Sequence, residues 1–590
     1  MKITSSTAWG VWREYFSKRF LFMLAGATAV ILTNAFQVAI PRLVGQIIDS
    51  LKSPNLGPGH SQFEKYFFML VAVTLMLIVV RIGWRLFLAR ETHHAGAVLR
   101  KGIWEHARFF PMRTLHQRYN VGQLMSISTS DVQAAKMCFG FLLVGMIDTI
   151  FLGIFTIVAM FYIDATMTLW ILIILPILPY FVKKLADLES LRFDRAQEFL
   201  AKLNEKASQV VATIRLQRLT QTGDFWKNKL MAFANDYRSK RLLTIYTSLA
   251  FNPMLGGATI ICYIILFIVG VSRVFDNQMS VGEFITMQGY VFLIQEPLIA
   301  IGFDISEWQN SLASLRRVVA VYNEPKEDCL LISKEESTKS KFKSVIVDED
   351  CNKIFELKNI SFKYEKTSHQ YVIKNLSLTL ERKGRLGITG TIGCGKSTLI
   401  NILSGLESGY DGEVLFYNKP LRQYSHAALR EYMAIVPQKP FLFADTIRNN
   451  LLMGREQSEK FEKFDDEIWH YLRIAGLEKD VLQMPDGIDT SLGEWGINLS
   501  GGQKQRLTLA RALIVKPKLL FLDDCLSAVD TVTEEQILQY LNNELKETTL
   551  IWVAHRSSTL KYCDHILDLS NLSNLSNLSN LSNGETVVVS

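Results

Sequence analysis

At 590 residues the chain is too long for one hydrophobic core, and 49% of its residues are hydrophobic, which excludes a single soluble domain. Its net charge of +7 would suit nucleic-acid binding, but the basic residues lie mainly beside apolar segments. That arrangement favours a membrane protein with basic cytoplasmic loops and no nucleic-acid partner. The seven cysteines are scattered without disulfide or metal spacing, which indicates a reduced environment.

Six apolar stretches in the first half of the chain are long enough for membrane helices, which need about 20 residues each. They run approximately over residues 21–40, 66–88, 141–163, 167–182, 246–274 and 284–303. The polar N-terminal segment lacks a signal-peptide cleavage site, so we expect the first stretch to remain as an anchor. These features predict an all-α membrane domain of six helices over residues 1–322.

Lysine and arginine predict how this domain is oriented. They are frequent between the second and third stretches and between the fourth and fifth, whereas residues 163–165 and 275–283 contain neither. The positive-inside rule therefore places both termini and both long loops in the cytoplasm of a multi-pass protein of the inner (plasma) membrane. The long loops have helical composition, so we expect paired helical rods that extend below the bilayer; two small cytoplasmic domains are the alternative.

Polar residues within the predicted spans are functional candidates. Asp148 lies in the third span, and Gln288, Gln295 and Glu296 lie in the sixth. An intramembrane carboxylate is expected to face a cavity or a partner such as Arg81. A structural ion pair, or a position at the membrane interface, explains Asp148 equally well. We expect aromatic residues such as Phe292 to face lipid.

Residues 323–352 lose the hydrophobic pattern and are rich in Lys, Glu and Ser, which predicts a solvated linker before a second domain over 353–590. That domain contains a glycine-rich loop between an apolar strand at 385–388 and a helix. In such loops backbone N–H groups surround phosphates, Lys396 reaches the β- and γ-phosphates, and the Ser397 hydroxyl holds Mg²⁺. The predicted phosphate-binding residues are Gly390, Thr391, Ile392, Gly393, Cys394, Gly395, Lys396, Ser397 and Thr398.

A second apolar strand, at residues 519–522, is followed by two acids. This pattern fits a buried parallel strand that carries a carboxylate to the metal beside the first loop. Asp523 is therefore the predicted Mg²⁺-side acid. Asp524 occupies the position of a base that activates water.

A second Gly/Ser phosphate cradle lies between these motifs and opens a helix over residues 504–514. Its residues are Leu499, Ser500, Gly501, Gly502 and Gln503. One nucleotide does not need two cradles in one chain, so the second is expected to serve the nucleotide of a partner in a head-to-tail dimer. In this position, LSGGQ resembles the signature of the ABC transporter superfamily.

The resemblance implies roles for four further residues by matching position. Tyr364 looks like the aromatic residue that stacks on adenine, and Gln438 like the glutamine that links Mg²⁺ and the attacking water to the membrane half. Asp530 ends a segment similar to the loop that signals across the dimer. His555 resembles the switch histidine that contacts the γ-phosphate. Ordinary packing would explain each residue alone, but their order and spacing favour function.

The resemblance extends over nearly the whole chain. Residues 40–49 and 280–284 look like those of bacterial multidrug-type half-transporters. It implies an α/β P-loop ATP-binding domain, ATP and Mg²⁺ as cofactors, and a dimer with a second half-transporter in the lipid bilayer. The implied function is ATP-driven export of a small amphipathic compound, whether drug, lipid or peptide.

Asp524 departs from the family pattern, which has Glu at this position. Its shorter side chain withdraws the carboxylate by about 1.5 Å, and a misplacement of about 1 Å can cost roughly 10²-fold in rate. The chain's own site is therefore expected to bind ATP but hydrolyse it slowly, as in the degenerate half of a heterodimeric exporter. A homodimeric exporter with Asp as base, and a regulatory or gating subunit controlled by ATP occupancy, are the alternatives.

The chain ends in a repeat. Leu569-Ser570-Asn571 occurs five times through Asn583 and is followed by glycine and a short apolar run. A single copy would leave a strand, an Asn-Gly turn and a strand, which together predict a hairpin. We interpret residues 569–583 as a slippage-type expansion of a surface loop, because lengthening a loop costs little free energy. An interaction tail is the alternative.

Overall fold

The computed structural model describes residues 5–51, 61–174, 177–327, 352–364, 371–424, 426–453 and 465–570. The chain forms two compact units. The first comprises Met1–Ala107 and Gly122–Glu324, and the second comprises Arg108–Val121 and Pro325–Ser590. Most of the predicted linker, and the repeat from Asn571 onward, lie outside the described residues.

The described chain before residue 325 is helical. In chain order its α-helices are α1 (Ala8–Lys18), α2 (Phe20–Leu51), α3 (Ser61–Trp84), α4 (Arg90–Ala107), α5 (Met112–Gln117), α6 (Val121–Ser126), α7 (Val132–Ala135), α8 (Phe141–Ile163), α9 (Ala165–Ile174), α10 (Ile177–Ala212), α11 (Ile214–Thr220), α12 (Gly223–Leu249), α13 (Phe251–Phe275), α14 (Val281–Leu293) and α15 (Gln295–Tyr322).

Within the described residues, four helical stretches are long and apolar enough to cross a membrane. They contain the first, second, third and sixth predicted spans and run over Phe20–Leu51, Gln62–Ala107, Val121–Ile163 and Val281–Tyr322. The fifth predicted span falls on α13, in which Ile260–Phe275 is a shorter apolar helix. The fourth falls on α9 and the start of α10, on either side of two residues outside the described part. The predicted all-α membrane fold is confirmed.

The two long loops are helical, as predicted. Helix α10 has 36 residues and α12 has 27, so at about 1.5 Å per residue each is longer than a bilayer core is thick. The two helices are joined side by side, where Arg192 of α10 donates to the Thr247 hydroxyl of α12 at 2.6 Å. The tip of the first loop, Arg108–Val121, belongs to the second compact unit.

The end of α2 is tied to the start of α14. The Asp49 carboxylate accepts hydrogen bonds from the Ser280 hydroxyl at 2.6 Å and from the Gly282 backbone N–H at 2.8 Å. A carboxylate at a helix N-terminus satisfies an N–H group that has no partner within the helix and interacts favourably with the helix dipole. The backbones also touch, because a Cβ built on Gly282 would lie 2.1 Å from the Gly45 carbonyl oxygen. This junction therefore has no room for a side chain at Gly282.

Replacing this glycine should destabilise the membrane unit. We expect Gly282→Ala to cost about 1–3 kcal/mol through overpacking and to lower the thermal unfolding midpoint of the detergent-solubilised protein. Gly83→Ala is the matched control, since a Cβ at Gly83 would meet nothing within 4 Å. Equal midpoints for the two variants would show that the α2–α14 backbones are not in close contact.

The second unit is an α/β structure. In chain order its main elements are β1 (Lys353–Phe362), β2 (Ile373–Glu381), β3 (Arg385–Thr389), α16 (Lys396–Leu403), β4 (Asp411–Phe416), β5 (Lys419–Pro420), α17 (His426–Tyr432), β6 (Met433–Val436), α18 (Ile447–Leu452), α19 (Asp465–Ile474), α20 (Glu478–Leu482), α21 (Gly501–Leu513), β7 (Leu519–Asp523), α22 (Thr531–Glu544), β8 (Thr549–Val553), α23 (Ser557–Leu560) and β9 (His565–Asp568).

Two sheets organise this unit. The larger has the strand order β6-β7-β8-β3-β9, and its neighbouring strands run parallel. The smaller has the order β2-β1-β4-β5, and its strands run antiparallel. The predicted α/β class is confirmed. A parallel sheet needs long crossover connections, and here these include the helices that carry both predicted phosphate cradles.

The two predicted cradles are supported by different groups of buried side chains. Helix α16, behind the phosphate loop, packs Leu399 into a cluster with Phe416 of the antiparallel sheet. Helix α21, behind the LSGGQ cradle, packs Leu509 into a separate cluster with Ile537 of α22. Each cradle is therefore held in place by its own apolar packing.

Candidate functional site

The carboxyl ends of the parallel strands meet at one edge of the larger sheet, and predicted site residues follow several of them. The glycine-rich loop follows β3, and Asp523 is the last residue of β7. Gln438 comes two residues after β6, and His555 comes two residues after β8. Open α/β sheets bind ligands outside this edge. The fold thus brings together residues that the sequence identified separately.

The loop between β3 and α16 has the backbone conformation of a phosphate cradle. Gly393 and Gly395 have φ values of +85° and +103°, in the left-handed region that glycine adopts without strain. A Cβ on Gly393 would meet nothing within 4 Å, and Ile392 is 97% exposed, so the loop is open to a ligand on this side. Backbone N–H groups and the N-terminus of α16 favour an anion there.

Lys396 lies over its own loop. Its ammonium group donates to the carbonyl oxygens of Gly390 at 2.8 Å and Thr391 at 2.9 Å. Both kinds of contact are charge-assisted, but a phosphate carries full negative charge and attracts the ammonium group more strongly than the partial charge of a carbonyl oxygen does. A phosphate in the cradle would therefore compete effectively with these two carbonyls for the lysine. The contact between Lys396 and the phosphates stays a prediction.

Asp523 and Ser397 are suitable ligands for Mg²⁺. The Asp523 side chain is only 8% exposed, and this burial raises the pKa of its carboxyl group, while a hydrogen bond with Ser397 and the charge of Lys396 act in the opposite direction. Mg²⁺ prefers hard oxygen ligands such as these. A cation at this position would compensate the lost solvation of the carboxylate, so the predicted metal residues fit the ion.

Asp524 directly follows this acid and is half-buried. Its φ of +47° is left-handed, a conformation that aspartate adopts more readily than most residues. Its backbone N–H donates to the Val553 carbonyl at 3.1 Å, which extends the sheet beyond β7. Gln438 Nε2 lies 3.5 Å from its Oδ2, at the outer limit of a hydrogen bond. The structure therefore brings Asp524 and Gln438 together.

The LSGGQ cradle is a capped helix start. The Ser500 hydroxyl accepts from the Gln503 backbone N–H at 3.3 Å, and the Gln503 side chain accepts from the Ser500 N–H at 2.9 Å. This reciprocal capping box fixes the first turn of α21. Leu499 is buried beneath the turn, whereas Ser500 and Gly501 are exposed. The exposed turn presents a hydroxyl and helix N–H groups to an anion.

Gln505 was missed by the sequence analysis, although it joins the cradle helix to the acidic strand end. Its side chain donates to the Ser527 hydroxyl at 3.1 Å and accepts from the Ala528 N–H at 2.9 Å. The Ser527 hydroxyl in turn donates to the Asp524 carbonyl at 3.1 Å. What distinguishes Gln505 is its burial on the apolar face of α21. This burial appears only in the folded structure, so the sequence pattern did not reveal it.

The remaining predicted residues lie around the same edge. Tyr364 is half-exposed, and its hydroxyl lies 2.7 Å from the Thr398 hydroxyl, so this ring sits beside the phosphate loop. Asp530 caps α22 by accepting from the Thr533 N–H at 2.9 Å, which lowers the pKa of the Asp530 carboxyl. His555 is exposed. Both Tyr364 and His555 are accessible to a ligand.

Removing the lysine charge tests the phosphate loop. Lys396→Ala should weaken equilibrium binding of a fluorescent ATP analogue by at least about tenfold, because hydrogen bonds to charged groups contribute roughly 1.5–3 kcal/mol. Lys358→Ala, at an exposed position on β1, is the control and should bind normally. Unchanged affinity in Lys396→Ala would refute the assignment of this loop.

Two family models match the chain. The model for the ABC transporter transmembrane region matches residues 23–298, and the ABC transporter model matches residues 373–527. The first match runs from the start of α2 to the start of α15. The second begins at β2 and runs through the phosphate loop, the LSGGQ cradle and both acids. Together the two matches cover more than half of the chain.

Similar proteins align along nearly the full length of the chain. "Multidrug resistance-like ATP-binding protein MdlA" of Buchnera aphidicola subsp. Baizongia pistaciae (strain Bp) is 28% identical over 97% of this chain and 94% of its own length. The protein of the same name from Escherichia coli (strain K12) is 27% identical over 96% and 92%. "Probable multidrug resistance ABC transporter ATP-binding/permease protein YheI" of Bacillus subtilis (strain 168) is 28% identical over 94% and 91%.

Proposed function

We propose that this chain, which belongs to the ABC transporter family, is one half of a dimeric exporter. The exporter couples ATP hydrolysis to the movement of small amphipathic compounds across the membrane. One observation carries the proposal. A single chain contains apolar helices long enough to span a membrane and an α/β unit with both a phosphate loop and an LSGGQ cradle. The multidrug resistance-like names of similar proteins support export as the direction of transport.

A cavity in the membrane unit supports an amphipathic substrate. It has a volume of about 520 Å³, and its lining includes Phe292, Phe303, Gln37, Gln295 and Glu296. Apolar and aromatic walls with a few polar groups are typical of small-molecule sites. Phe292 is 65% exposed, which is compatible with the expected contact with lipid, and it also borders this cavity. Glu296, a polar candidate of the sixth span, contributes a carboxylate to it.

The two phosphate cradles support the dimer. The phosphate loop and the LSGGQ cradle rest on separate apolar clusters of the same unit. Each exposes backbone N–H groups at a helix N-terminus, which can bind an anion. In a head-to-tail dimer the LSGGQ cradle of one chain covers the nucleotide held by the phosphate loop of the other. Two nucleotides are then enclosed by two chains.

Asp524 supports a heterodimer in which this chain holds the slow ATP site. The Asp524 side chain is one carbon shorter than the family's glutamate, so its carboxylate stops short of the position that the longer side chain would reach. In this position the carboxylate lies 3.5 Å from Gln438 Nε2. The Ser500 cradle is intact and can complete a competent site on a partner that carries Glu. The same acid favours a second candidate function, in which ATP occupancy of this subunit gates a partner without hydrolysis.

Two substitutions test which site hydrolyses ATP. In the assembled pump, Ser500→Ala should lower steady-state ATPase activity by about 10²–10³-fold, because it removes a donor aimed at developing charge in the partner's site. Asp524→Asn should have a much smaller effect, since it changes the slow site. A collapse with Asp524→Asn and a mild loss with Ser500→Ala would reverse the assignment.

A control separates chemistry from helix capping, because Ser500 also caps α21. Ser500→Asp keeps a capping side chain but places negative charge against the nucleotide. It should be as inactive as Ser500→Ala while retaining normal thermal stability. If Ser500→Asp were active, the loss in Ser500→Ala would come from the missing cap.

The reach of Asp524 predicts the behaviour of the chain alone. Purified without a partner, the wild-type chain should hydrolyse ATP slowly, and Asp524→Glu should raise the rate by about 10²-fold by restoring the missing bond length. Asp524→Asn is the matched control and should not raise it. Fast, substrate-stimulated turnover by the lone wild-type chain would show that the homodimer is the functional form.

A further inference from the structure

The C-terminal end of the described chain lies against the phosphate loop. Strand β9 runs parallel to β3, with Asp568 opposite Thr389. The Leu569 N–H continues this ladder by donating to the Thr389 carbonyl at 3.0 Å, and the Leu569 side chain is buried in the core at 3% exposure. The next residue, Ser570, is therefore delivered to the first turn of the loop.

Ser570 and Lys396 hold opposite sides of one peptide group. The Ser570 hydroxyl accepts a hydrogen bond from the Thr391 N–H at 2.9 Å. The Lys396 ammonium donates to the Gly390 carbonyl at 2.8 Å. This carbonyl and this N–H belong to the single planar peptide that joins Gly390 to Thr391. Two side chains therefore hold this peptide. One is Lys396, which has to turn towards a phosphate when a nucleotide binds, and the other is Ser570.

The contact is close and directed. A Cβ on Gly390 would lie 2.7 Å from the Cys394 sulfur and 3.1 Å from the Ser570 hydroxyl, and its φ is +142°. The Ser570 N–H donates to the Asp568 carboxylate at 2.9 Å, which forms a local turn of the kind that Asp side chains stabilise. Ser570 is thus aimed at the loop by its own backbone.

We propose that Ser570 is a positioning residue for nucleotide binding, which holds the Gly390–Thr391 peptide in place while Lys396 exchanges the Gly390 carbonyl for the phosphates of ATP. This inference rests on the assignment of the loop as the nucleotide site. A loop that keeps its shape when it loses the lysine contact has less to reorganise on binding. Such preorganisation increases affinity without a direct contact to the ligand.

The repeat preserves this contact whatever its length. Every copy has the order Leu-Ser-Asn, so removal of residues 569–571 moves Leu572 and Ser573 to the positions of Leu569 and Ser570. The loop needs only one Leu-Ser pair directly after Asp568. Contraction by whole copies should therefore leave the nucleotide site intact, whereas a substitution in the first copy should not.

The test measures nucleotide binding and loop protection in the full-length chain. Ser570→Ala should weaken equilibrium binding of a fluorescent ATP analogue by about two- to tenfold, as expected for the loss of one hydrogen bond. It should also speed hydrogen–deuterium exchange in the peptide that contains Thr391. Three matched variants, Ser570→Thr, Ser573→Ala and deletion of residues 569–571, should resemble the wild type in both measurements.

A double-mutant cycle separates this role from general stability. If Ser570 acts through the shared peptide, Ser570→Ala should change affinity much less in a Lys396→Ala background than in the wild type. Ser570→Cys, which is similar in size but a weak acceptor, should reproduce the Ser570→Ala loss and remain folded by its thermal midpoint.

Three outcomes would overturn the proposal. They are wild-type affinity in both Ser570→Ala and Ser570→Cys, an equal loss in Ser573→Ala, and a loss in Ser570→Ala that is undiminished in the Lys396→Ala background. Failure of Lys396→Ala itself to weaken binding would instead refute the nucleotide site. The failure of the positioning role and the failure of the site are thus distinguishable.

Discussion

The parallel hydrogen bonding of β3 between β8 and β9 is the constraint on which the site depends. Ile388 lies opposite Val553 of β8 on one side and Leu567 of β9 on the other. Because the three strands are parallel, the segments that follow them leave the sheet at the same edge. The ladder continues one residue further, where the Ala554 and Leu569 N–H groups donate to the Ile388 and Thr389 carbonyls. The phosphate loop therefore begins from a backbone that is held on both sides, and its position relative to its neighbours is set by main-chain bonds.

The acidic strand end depends on the same arrangement. Strand β8 lies between β7 and β3, so Asp523 emerges two strand positions from the phosphate loop, and its side chain reaches Ser397. Its carboxylate can be buried there because the hydroxyl of Ser397 and the charge of Lys396 compensate part of its lost hydration. The backbone leaves the sheet at Asp524 in a left-handed conformation, and this conformation determines where the Asp524 carboxylate lies.

The LSGGQ cradle is built by local capping and connected by side chains. The capping box of Ser500 makes the helix start rigid, while Gln505 and Ser527 link that helix to the backbone of Asp524. Hydrogen bonds therefore connect the acidic end of β7 to the LSGGQ cradle. This link gives a physical route by which the two parts of the unit can influence each other.

Apolar length, glycine-rich loops and acids after a buried strand are local properties, and from them the sequence alone determined the membrane fold and the ATP-binding class. The roles of the individual site residues stay predictions. The length of an apolar run sets a membrane span, and a loop with the right glycines and lysine has its conformation largely built in. The tertiary structure alone decided which distant residues meet. Asp49 meets Ser280 across 231 positions, and Ser570 meets Thr391 across 179. Such contacts follow from strand order and helix packing, which no local pattern encodes. For this reason the repeat resembled a simple loop expansion in the sequence, whereas the structure places its first serine, Ser570, against the phosphate loop.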